Sequence, residues 1–516
     1  MKNVLLILSL LSFYCLAKAQ SQFLDPSFNE SGYAIIELTP YNDRTCEVIV
    51  QPDGKILTSG LFQFYNTATG TDSITSFITR HNSDGSIDLS FNSTGIVYSD
   101  LSFSVELSSA NMELLEDGKI VIAGTKSLPG YDQMCVQKFN TDGTKDMSFG
   151  EGGEKLIVSP DGYYSGSNCL KVQPDGKIVV AGVTSGLLIM GRLESDGQYD
   201  LDFGDNGIVA IYEGYPYIFN INFLSDGSII VTGDSDLYQI AIMKFNPDGS
   251  ANTAFGTNGK KLLKYNFQTE NHAYGLAIQQ DDKIIVSGHS NGLWLLYRVN
   301  PNDGSLDNTF GNNGAVVNHF SGGTWDVATS VIAMPDNRIL ATGRYKKDSY
   351  VEKYNIVIIR YLPNGNMDST FGINGMIEFD FGNRTDQGKS SFIQPDGKII
   401  CAGHTGNSEY SAIEMVILRC SEFSNVNTPE LQKESTFTLF PNPAGKLVNI
   451  NITTPVTGTY TIEIQSIEGK FIQNNEEVLN AGFNHLELVL PDLAGGTYII
   501  SIKGNDFVAS QKMLVE

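Results

Sequence analysis

The sequence has 516 residues, of which 52 are glycine, and only 18% of the residues are charged. This composition is typical of many short strands joined by tight turns, and a chain of this length needs repeats or several domains to bury its apolar residues. The formal net charge of −24 argues against the basic surface that nucleic acids require, so we expect no nucleic-acid partner.

The N-terminus is predicted to be a secretory signal peptide, residues 1–19. Lys2 supplies the positive charge, residues 4–16 (VLLILSLLSFYCL) form the apolar run, and Ala-Lys-Ala immediately before Gln20 provides a small-residue cleavage site. The apolar run is too short to remain as a membrane span, so we expect no transmembrane anchor. The mature protein is therefore expected to be exported.

One phrase, which reads as two strands joined by a tight turn, recurs seven times. Its copies are VQPDGKILTSG (50–60), LLEDGKIVIAG (114–124), VQPDGKIVVAG (172–182), FLSDGSIIVTG (223–233), IQQDDKIIVSG (278–288), AMPDNRILATG (333–343) and IQPDGKIICAG (393–403). Asp-Gly between apolar runs predicts a type I′ hairpin turn, which needs φ > 0 at both central residues. Two copies replace the glycine by Asp282 or Asn337, and these residue types also tolerate that region.

A second phrase alternates with the first and supplies two more strands for each repeat. Its six copies span residues 80–95, 138–153, 192–207, 244–259, 298–314 and 360–375. Four strands repeated seven times predict an all-β fold with a seven-bladed β-propeller over residues 20–420. Residues 24–38 carry only the end of a repeat, and residues 412–420 stop before that end. We therefore expect the N-terminal strand to complete the last four-stranded blade, which leaves no open edge in the ring.

These phrases resemble the delta-60 repeat family. Its signature is close to Q-P-D-G-K-I-x-x-x-G followed by R-x-x-x-D-G-x-x-D-x-x-F-G-x-x-G, and the resemblance covers about residues 23–420. The resemblance implies a propeller that often occurs on secreted bacterial proteins. It implies no defined reaction.

The C-terminal residues 436–516 follow a different, alternating pattern that predicts a separate β-sandwich domain. Residues 421–435 are polar, contain Pro429 and are predicted to be a linker. The tail resembles the type A sorting domain of the type IX secretion system of Bacteroidetes. The resemblance implies that the type IX secretion machinery is a partner and that the protein is secreted, or attached to the outer-membrane cell surface. The matching residues are Pro441, Asn442, Pro443, Gly496, Tyr498 and Lys512.

Three further positions recur in the propeller repeats and are interpreted as structural. The corner phenylalanines are expected to wedge between neighbouring blades; they are Phe28, Phe91, Phe149, Phe203, Phe255, Phe310 and Phe371. A repeated basic residue and a repeated acid are expected to form half-buried ion pairs; examples are Arg80 with Asp88, Arg192 with Asp200, Arg298 with Asp307 and Arg360 with Asp368. The repeat with Lys244 and Asn252 is expected to have the weakest pair.

Loops that differ between blades are the candidates for a binding site, because irregular loops on a rigid scaffold carry function. The connections from second to third strands and between blades are expected to share one side of the propeller, which we call the loop face. Aromatic rings with nearby acids and amides suit a glycan or peptide there, although they could also simply cap the blade ends. The candidate residues are Tyr163, Tyr164, Tyr215, Tyr217, Phe267, Trp325, Asp326, Arg384 and Asp386.

The sequence contains no H-E-x-x-H motif, nucleophile elbow or glycine-rich phosphate loop, and we predict no cofactor and no metal site. His289 and His404 both follow a second strand, which is a weak indication of a metal pair. The five cysteines of the mature chain lack metal-ligand spacing and are expected to be small buried side chains, with one disulfide possible. Acids placed to act at a propeller channel are Glu213, Glu270, Asp326 and Asp386.

The sequence therefore favours a binding or adhesion module on the cell surface, acting as a monomer, with a glycan or protein ligand. A carbohydrate-active propeller enzyme and a purely structural scaffold stay open as alternatives.

Overall fold

The protein is described from a computed structural model. The described residues are 22–39, 42–66, 71–102, 111–160, 166–184, 186–212, 217–235, 238–265, 270–320, 325–346, 353–382, 384–408, 411–421, 437–454, 456–466, 471–504 and 507–515. The predicted signal peptide and residues 422–435 of the predicted linker lie outside them. The chain divides into two compact units, Met1–Asn425 and Val426–Glu516. Among the described residues, no helix has the length and apolar character to cross a membrane.

The described part of the first unit consists of strands joined by turns, which confirms the all-β prediction. In chain order the strands are β1 (Tyr33–Ile36), β2 (Asn42–Val50), β3 (Ile56–Asn66), β4 (Thr71–His81), β5 (Ile96–Ser99), β6 (Leu101–Ser102), β7 (Met112–Leu114), β8 (Ile120–Leu128), β9 (Tyr131–Phe139), β10 (Glu154–Ile157), β11 (Gly166–Val172), β12 (Ile178–Thr184), β13 (Leu187–Leu193), β14 (Ile208–Tyr212), β15 (Tyr217–Phe223), β16 (Ile229–Asp234), β17 (Ile240–Phe245), β18 (Lys260–Leu263), β19 (Asn271–Ile278), β20 (Ile284–Ser290), β21 (Leu293–Val299), β22 (Ala315–Asn318), β23 (Val327–Ala333), β24 (Ile339–Lys346), β25 (Tyr354–Tyr361), β26 (Met376–Phe379), β27 (Thr385–Ile393), β28 (Ile399–Ser408) and β29 (Ser411–Cys420).

These strands form seven antiparallel sheets among the described residues, which we call blades 1–7 in chain order. Blades 1 and 3–6 are four consecutive strands each, and blade 2 contains β6–β10. Blade 7 has the order β1-β29-β28-β27, with Tyr33 opposite Leu418 and Ile36 opposite Met415. The N-terminal strand therefore completes the last sheet, as the half-repeats predict.

The inner strands of the seven sheets form a closed ring around a central channel. They are β2, β7, β11, β15, β19, β23 and β27, and each contacts the inner strand of both neighbouring blades, with β27 contacting β2. The repeated apolar residues are buried where neighbouring blades pack face to face.

The hairpin turns of the first phrase differ from the prediction. In the first copy Gly54 N donates to Gln51 O, at 2.9 Å, and φ is positive at Gly54 (+85°) but not at Asp53. This is a type I turn followed by one left-handed residue, not a type I′ turn. Pro52 suits this turn, since its ring fixes φ near −65° at the first turn position, but the copies with Glu116, Ser225 or Gln280 at that position form the same turn. Asp282 and Asn337 occupy the left-handed position in their copies, at +63° and +64°, as expected.

The corner phenylalanines are buried between neighbouring blades. Phe203 of blade 3 is fully buried, and a Cβ added to Gly249 of blade 4 would lie only 2.8 Å from its ring. Gly249 also has φ of +87°, so both the close approach and the backbone require glycine. The guanidinium of Arg192 lies 4.4 Å from the centre of the same ring, on its face.

The repeated basic residues and acids form ion pairs inside the blades. Arg192 Nε lies 2.6 Å from Asp200 Oδ2, Lys177 Nζ lies 2.8 Å from the same oxygen, and Arg192 also donates to Pro247 O of the next blade. Asp200 therefore binds cations from two parts of blade 3. Arg192, which it holds, also links blade 3 to the adjacent sheet. The corresponding Nε–Oδ2 distances are 2.7 Å for Arg80–Asp88, 2.7 Å for Arg298–Asp307 and 2.8 Å for Arg360–Asp368.

All five described cysteines are buried free thiols: Cys46, Cys135, Cys169, Cys401 and Cys420. Burial raises the pKa of Cys46 to about 12, so this thiol stays protonated. The thiols act as small apolar side chains.

The second unit has its own core, built from two sheets. Its strands are β30 (Thr438–Phe440), β31 (Leu447–Thr454), β32 (Gly458–Ser466), β33 (Phe471–Leu479), β34 (Gly482–Val489), β35 (Gly496–Gly504) and β36 (Phe507–Val515). One sheet has the order β30-β31-β34 and the other β33-β32-β35-β36. Pro441 and Pro443 follow cis peptide bonds in the turn after β30, and Asn442 Oδ1 there accepts a 2.7 Å hydrogen bond from Leu514 N.

Candidate functional site

The loop face is stepped, because the second strands of the blades differ in length. These strands have 6–7 residues in blades 3–5, whereas they have 8–11 residues in blades 1, 2, 6 and 7. Each strand residue adds about 3.3 Å of length. Blades 3–5 therefore form a low area that is bordered by taller hairpins.

The candidate ligand-binding residues from the sequence separate into three groups. Tyr163, Tyr164, Tyr215 and Phe267 lie outside the described residues. Tyr217 and Trp325 are on the loop face and are 55% and 47% exposed. Asp326, Arg384 and Asp386 are held by contacts within the protein, which we describe next.

Asp326 and Asp386 are fully buried and cap connections between blades, so neither faces a ligand. Asp326 Oδ1 accepts a 2.9 Å bond from Lys346 N, and Asp386 Oδ2 accepts a 2.8 Å bond from Phe381 N. Burial raises the pKa of Asp386 to about 6. Asp43 holds the same position in blade 1, where its carboxylate accepts bonds from the preceding turn. These acids therefore belong to the scaffold.

Arg384 is also committed to a contact inside its blade. Its guanidinium forms an ion pair with Glu414 on β29. Of the described candidates, Tyr217 and Trp325 remain as accessible side chains.

A row of rings crosses the low area and ends at Trp325. Tyr238, His272, His289 and Trp325 follow one another with ring-centre distances of 6.4, 4.9 and 5.9 Å. We call these four residues the aromatic row. Tyr238 lies in the β16–β17 turn of blade 4, the two histidines are on β19 and β20 of blade 5, and Trp325 precedes β23 of blade 6. The row therefore joins three blades.

Both exposed ends of the aromatic row have left-handed backbones. Tyr238 has φ of +52° and Trp325 has φ of +91°, and they are 55% and 47% exposed. Neighbouring hairpins hold them: Asn271 N donates to Tyr238 O at 3.2 Å, and Trp325 N donates to Gly292 O at 2.9 Å. Aromatic residues are rarely found in this region, and such strain is concentrated at functional sites.

The two histidines differ in protonation because their partners differ. Burial acts to lower the pKa of His272, but the hydrogen bond to Asp234 and the charge of that carboxylate raise it above its ordinary value. Burial lowers the pKa of His289 to about 3. Gly292 N donates to His289 Nδ1 at 3.1 Å, so that nitrogen is unprotonated and the neutral ring carries its hydrogen on Nε2. The row thus combines an ion-paired imidazole with a neutral one.

One repeat position in the sequence indicates the residues of the aromatic row, although it lies next to the regular repeat phrase and was not used in the prediction. The residue after the glycine of the first phrase is Leu61, Thr125 and Val183 in blades 1–3. In blades 4–7 the same position is titratable or charged: Asp234, His289, Arg344 and His404. His289 belongs to blade 5 and His404 to blade 7, and blade 6 has Arg344 at the same position. The two histidines of the suggested metal pair therefore do not lie on neighbouring blades. Within the described ranges no group of metal ligands of three or more is found.

The central channel contains a second set of polar side chains that the sequence reasoning missed. Glu47 Oε2 accepts 2.9 Å bonds from both Asn111 N and Met112 N, and Lys171 forms an ion pair with Glu113. Burial raises the pKa of Glu47 to about 8, and the negative charge of Glu113 acts in the same direction. Glu47 is therefore protonated at neutral pH.

Fold and tail together define a secreted repeat β-propeller with a cell-surface export domain. Six segments of the chain match the family described as a domain of unknown function (DUF5122) beta-propeller: residues 51–91, 115–149, 173–203, 224–255, 279–310 and 335–371. Residues 438–516 match the secretion system C-terminal sorting domain. The chain thus carries repeats that match the DUF5122 β-propeller model and a tail that matches the secretion system sorting domain, and the two resemblances predicted from the sequence are confirmed.

Several solved structures are distantly similar to the chain. A PQQ-bound aldose sugar dehydrogenase from Streptomyces coelicolor has 12% identity and a TM-score of 0.36, over 62% of this chain and 96% of that one. A gluconolactonase from Xanthomonas campestris has 13% identity and a TM-score of 0.33, over 61% and 87%. A protein from Lactobacillus plantarum has 9% identity and a TM-score of 0.39, over 83% and 99%. No curated protein matches the sequence.

Proposed function

We propose that the protein is a cell-surface binding module that holds a glycan on the aromatic row of the loop face. The observation that carries this proposal is the pair of exposed rings, Tyr238 and Trp325, that the backbone holds in left-handed conformations at the two ends of the row. The β16–β17 turn sets the backbone at Tyr238, but neither Tyr238 nor Trp325 belongs to the apolar clusters between the blades, so packing of the core does not account for an aromatic residue at either position. A ligand surface is a reason for their presence.

The chemistry of the row fits a sugar chain. The apolar faces of sugar rings stack on aromatic side chains, and sugar hydroxyls need hydrogen-bond donors and acceptors beside them. His272 and Glu270 supply such groups, with His272 Nε2 3.9 Å from Glu270 Oε2. Tyr217 is opposite Asp234 in the sheet and extends the exposed aromatic surface on blade 4. The row is long enough to contact several consecutive sugar units.

The sorting domain determines where the proposed site would meet its ligand. The sorting tail places the protein outside the cell or on its surface, where glycans of the environment or of other cells are accessible. Adhesion or glycan capture is therefore the role that we propose.

Substitution of Trp325 by alanine is expected to weaken glycan binding about tenfold, because one stacked ring contributes about 1–1.5 kcal/mol. A glycan array with the mature protein identifies the ligand, and calorimetry measures the affinity of each variant. The matched control is Tyr98→Ala, which removes a ring that is 53% exposed on β5 of blade 1. We expect the control to bind like the wild type.

Two results would oppose this proposal. One is equal glycan affinity of the Trp325→Ala variant, the control and the wild type. The other is release of reducing sugar from the bound glycan, which would identify the protein as a carbohydrate-active enzyme.

A further inference from the structure

The central channel contains a cavity of about 440 Å³, which is separate from the aromatic row. The inner strands of all seven blades contribute to its wall. Small-molecule sites in proteins have volumes of about 300–1,000 Å³ and combine apolar walls with a few placed polar groups. The size of the cavity therefore allows one small ligand.

The wall of the cavity is divided into a polar and an apolar arc. Side chains two residues apart on a strand face the same side, so equivalent positions of the inner strands form tiers around the channel. One tier lies one residue before the hairpin-facing end of the inner strands. Blades 2–4 place Glu113, Lys171 and Asn222 in this tier, and blades 1, 6 and 7 place Ile49, Ile332 and Phe392 there.

The polar arc offers donors and acceptors in fixed positions. The ion pair between Lys171 and Glu113 holds both side chains, and Asn222 Oδ1 accepts a 2.9 Å bond from Phe223 N, which leaves its NH₂ group as a donor. Above this tier, Glu47 and Asn220 continue the polar wall, and Asn220 Nδ2 donates to Tyr274 O at 2.6 Å. These residues differ from blade to blade, so the repeat does not require them.

We propose that the channel cavity is a binding site for one small, neutral, polyhydroxylated solute of monosaccharide size. Such a ligand has an apolar ring face for Ile49, Ile332 and Phe392 and hydroxyls for the polar arc. The charge of Lys171 is matched by that of Glu113, and Glu47 presents a protonated carboxyl group, which both donates and accepts. The polar arc therefore favours hydroxyl groups, which also donate and accept, over a net ionic charge. This inference does not rest on the proposed function of the aromatic row.

The test uses the mature protein and D-glucose, D-galactose, D-glucuronate and D-glucosamine as probes, with binding followed by saturation-transfer NMR and titration. We expect a neutral sugar to bind best, and Asn222→Leu to weaken its binding at least about tenfold. Asn474→Leu is the matched control, because Asn474 is exposed in the second unit. Trp325→Ala should leave this binding unchanged, which separates the channel site from the aromatic row.

Four results would overturn the proposal: no neutral sugar binds to the wild type, Asn222→Leu binds like the wild type, Trp325→Ala abolishes binding, or a charged sugar binds more tightly than the neutral ones. Circular dichroism checks that each variant is folded. If Asn222→Leu is unfolded, Asn222→Ser replaces it, since serine removes the amide group without adding bulk, and the same loss of binding is expected.

Discussion

Substitution of Asp200 by alanine is expected to lower the free energy of unfolding by about 3–5 kcal/mol, because it leaves two cations without their buried partner. Arg192 Nε and Lys177 Nζ are 2.6 and 2.8 Å from Asp200 Oδ2, and Asp200 is 3% exposed. Burial alone would raise the pKa of Asp200, but hydrogen bonds from Lys177 and Arg192 lower it overall. The carboxylate is therefore ionised and strongly bound at neutral pH.

The chain contains its own control for this prediction. Blade 4 has Asn252 at the position of the acid, and Lys244 Nζ there donates to Pro301 O at 3.0 Å. Asn252→Ala removes a neutral hydrogen bond to Asn246 Oδ1, so a loss of only about 1 kcal/mol is expected. Urea unfolding of both variants checks the difference. Equal losses would show that the ion pair does not hold the blades together.

Substitution of Glu47 by glutamine is expected to remove a pH dependence of stability. The ordinary pKa of a glutamate is 4.5, and enclosure in the channel raises that of Glu47 to about 8. Between these values the folded protein holds a proton that the unfolded chain releases, so stability falls as pH rises through this window, by at most about 1.4 kcal/mol per pH unit. Because water in the channel weakens the effect of burial, we expect a total on the order of 2 kcal/mol.

Glutamine imitates the protonated side chain and can still accept from Asn111 N and Met112 N. Urea unfolding at pH 5 and pH 9 should therefore show Glu47→Gln and wild type alike at pH 5, with the variant more stable at pH 9. Glu151→Gln, which removes a carboxylate from an exposed turn, is the reference. If the wild type and Glu47→Gln change in parallel from pH 5 to pH 9, Glu47 does not retain its proton.

The repeats made the blades predictable because each strand and turn is specified locally and then repeated. Arg192 and Asp200 are eight residues apart across one turn, so their pairing follows from the geometry of a hairpin. The turn type was predicted wrongly, because the hairpin loop has three residues, 52–54 in the first copy, and not the two residues Asp-Gly alone. The closure of blade 7 followed from the missing halves at residues 24–38 and 412–420.

The site was less predictable because its contacts join residues that are distant in the sequence. Asp326 lies beside exposed Trp325 in the sequence, yet its carboxylate accepts from Lys346 N, twenty residues away, and is buried. Asp234 and His272 are 38 residues apart and meet only because the ring places blades 4 and 5 side by side. The channel tiers likewise depend on seven strands that are distant in the chain. The available signal in the sequence was a repeat position whose residue type differs between blades, such as the position of Asp234 and His289.

The tryptophan fluorescence of the protein tests the central proposal most directly. The sequence contains two tryptophans: Trp294 is fully buried, and Trp325 at the end of the aromatic row is 47% exposed. Acrylamide should therefore quench Trp325 selectively, and Trp294→Phe leaves it as the one indole. We predict that the glycan identified on the array protects Trp325 from quenching, with the same saturation curve as binding measured by calorimetry. Saturating glycan that leaves the quenching of Trp325 unchanged would contradict binding on the aromatic row.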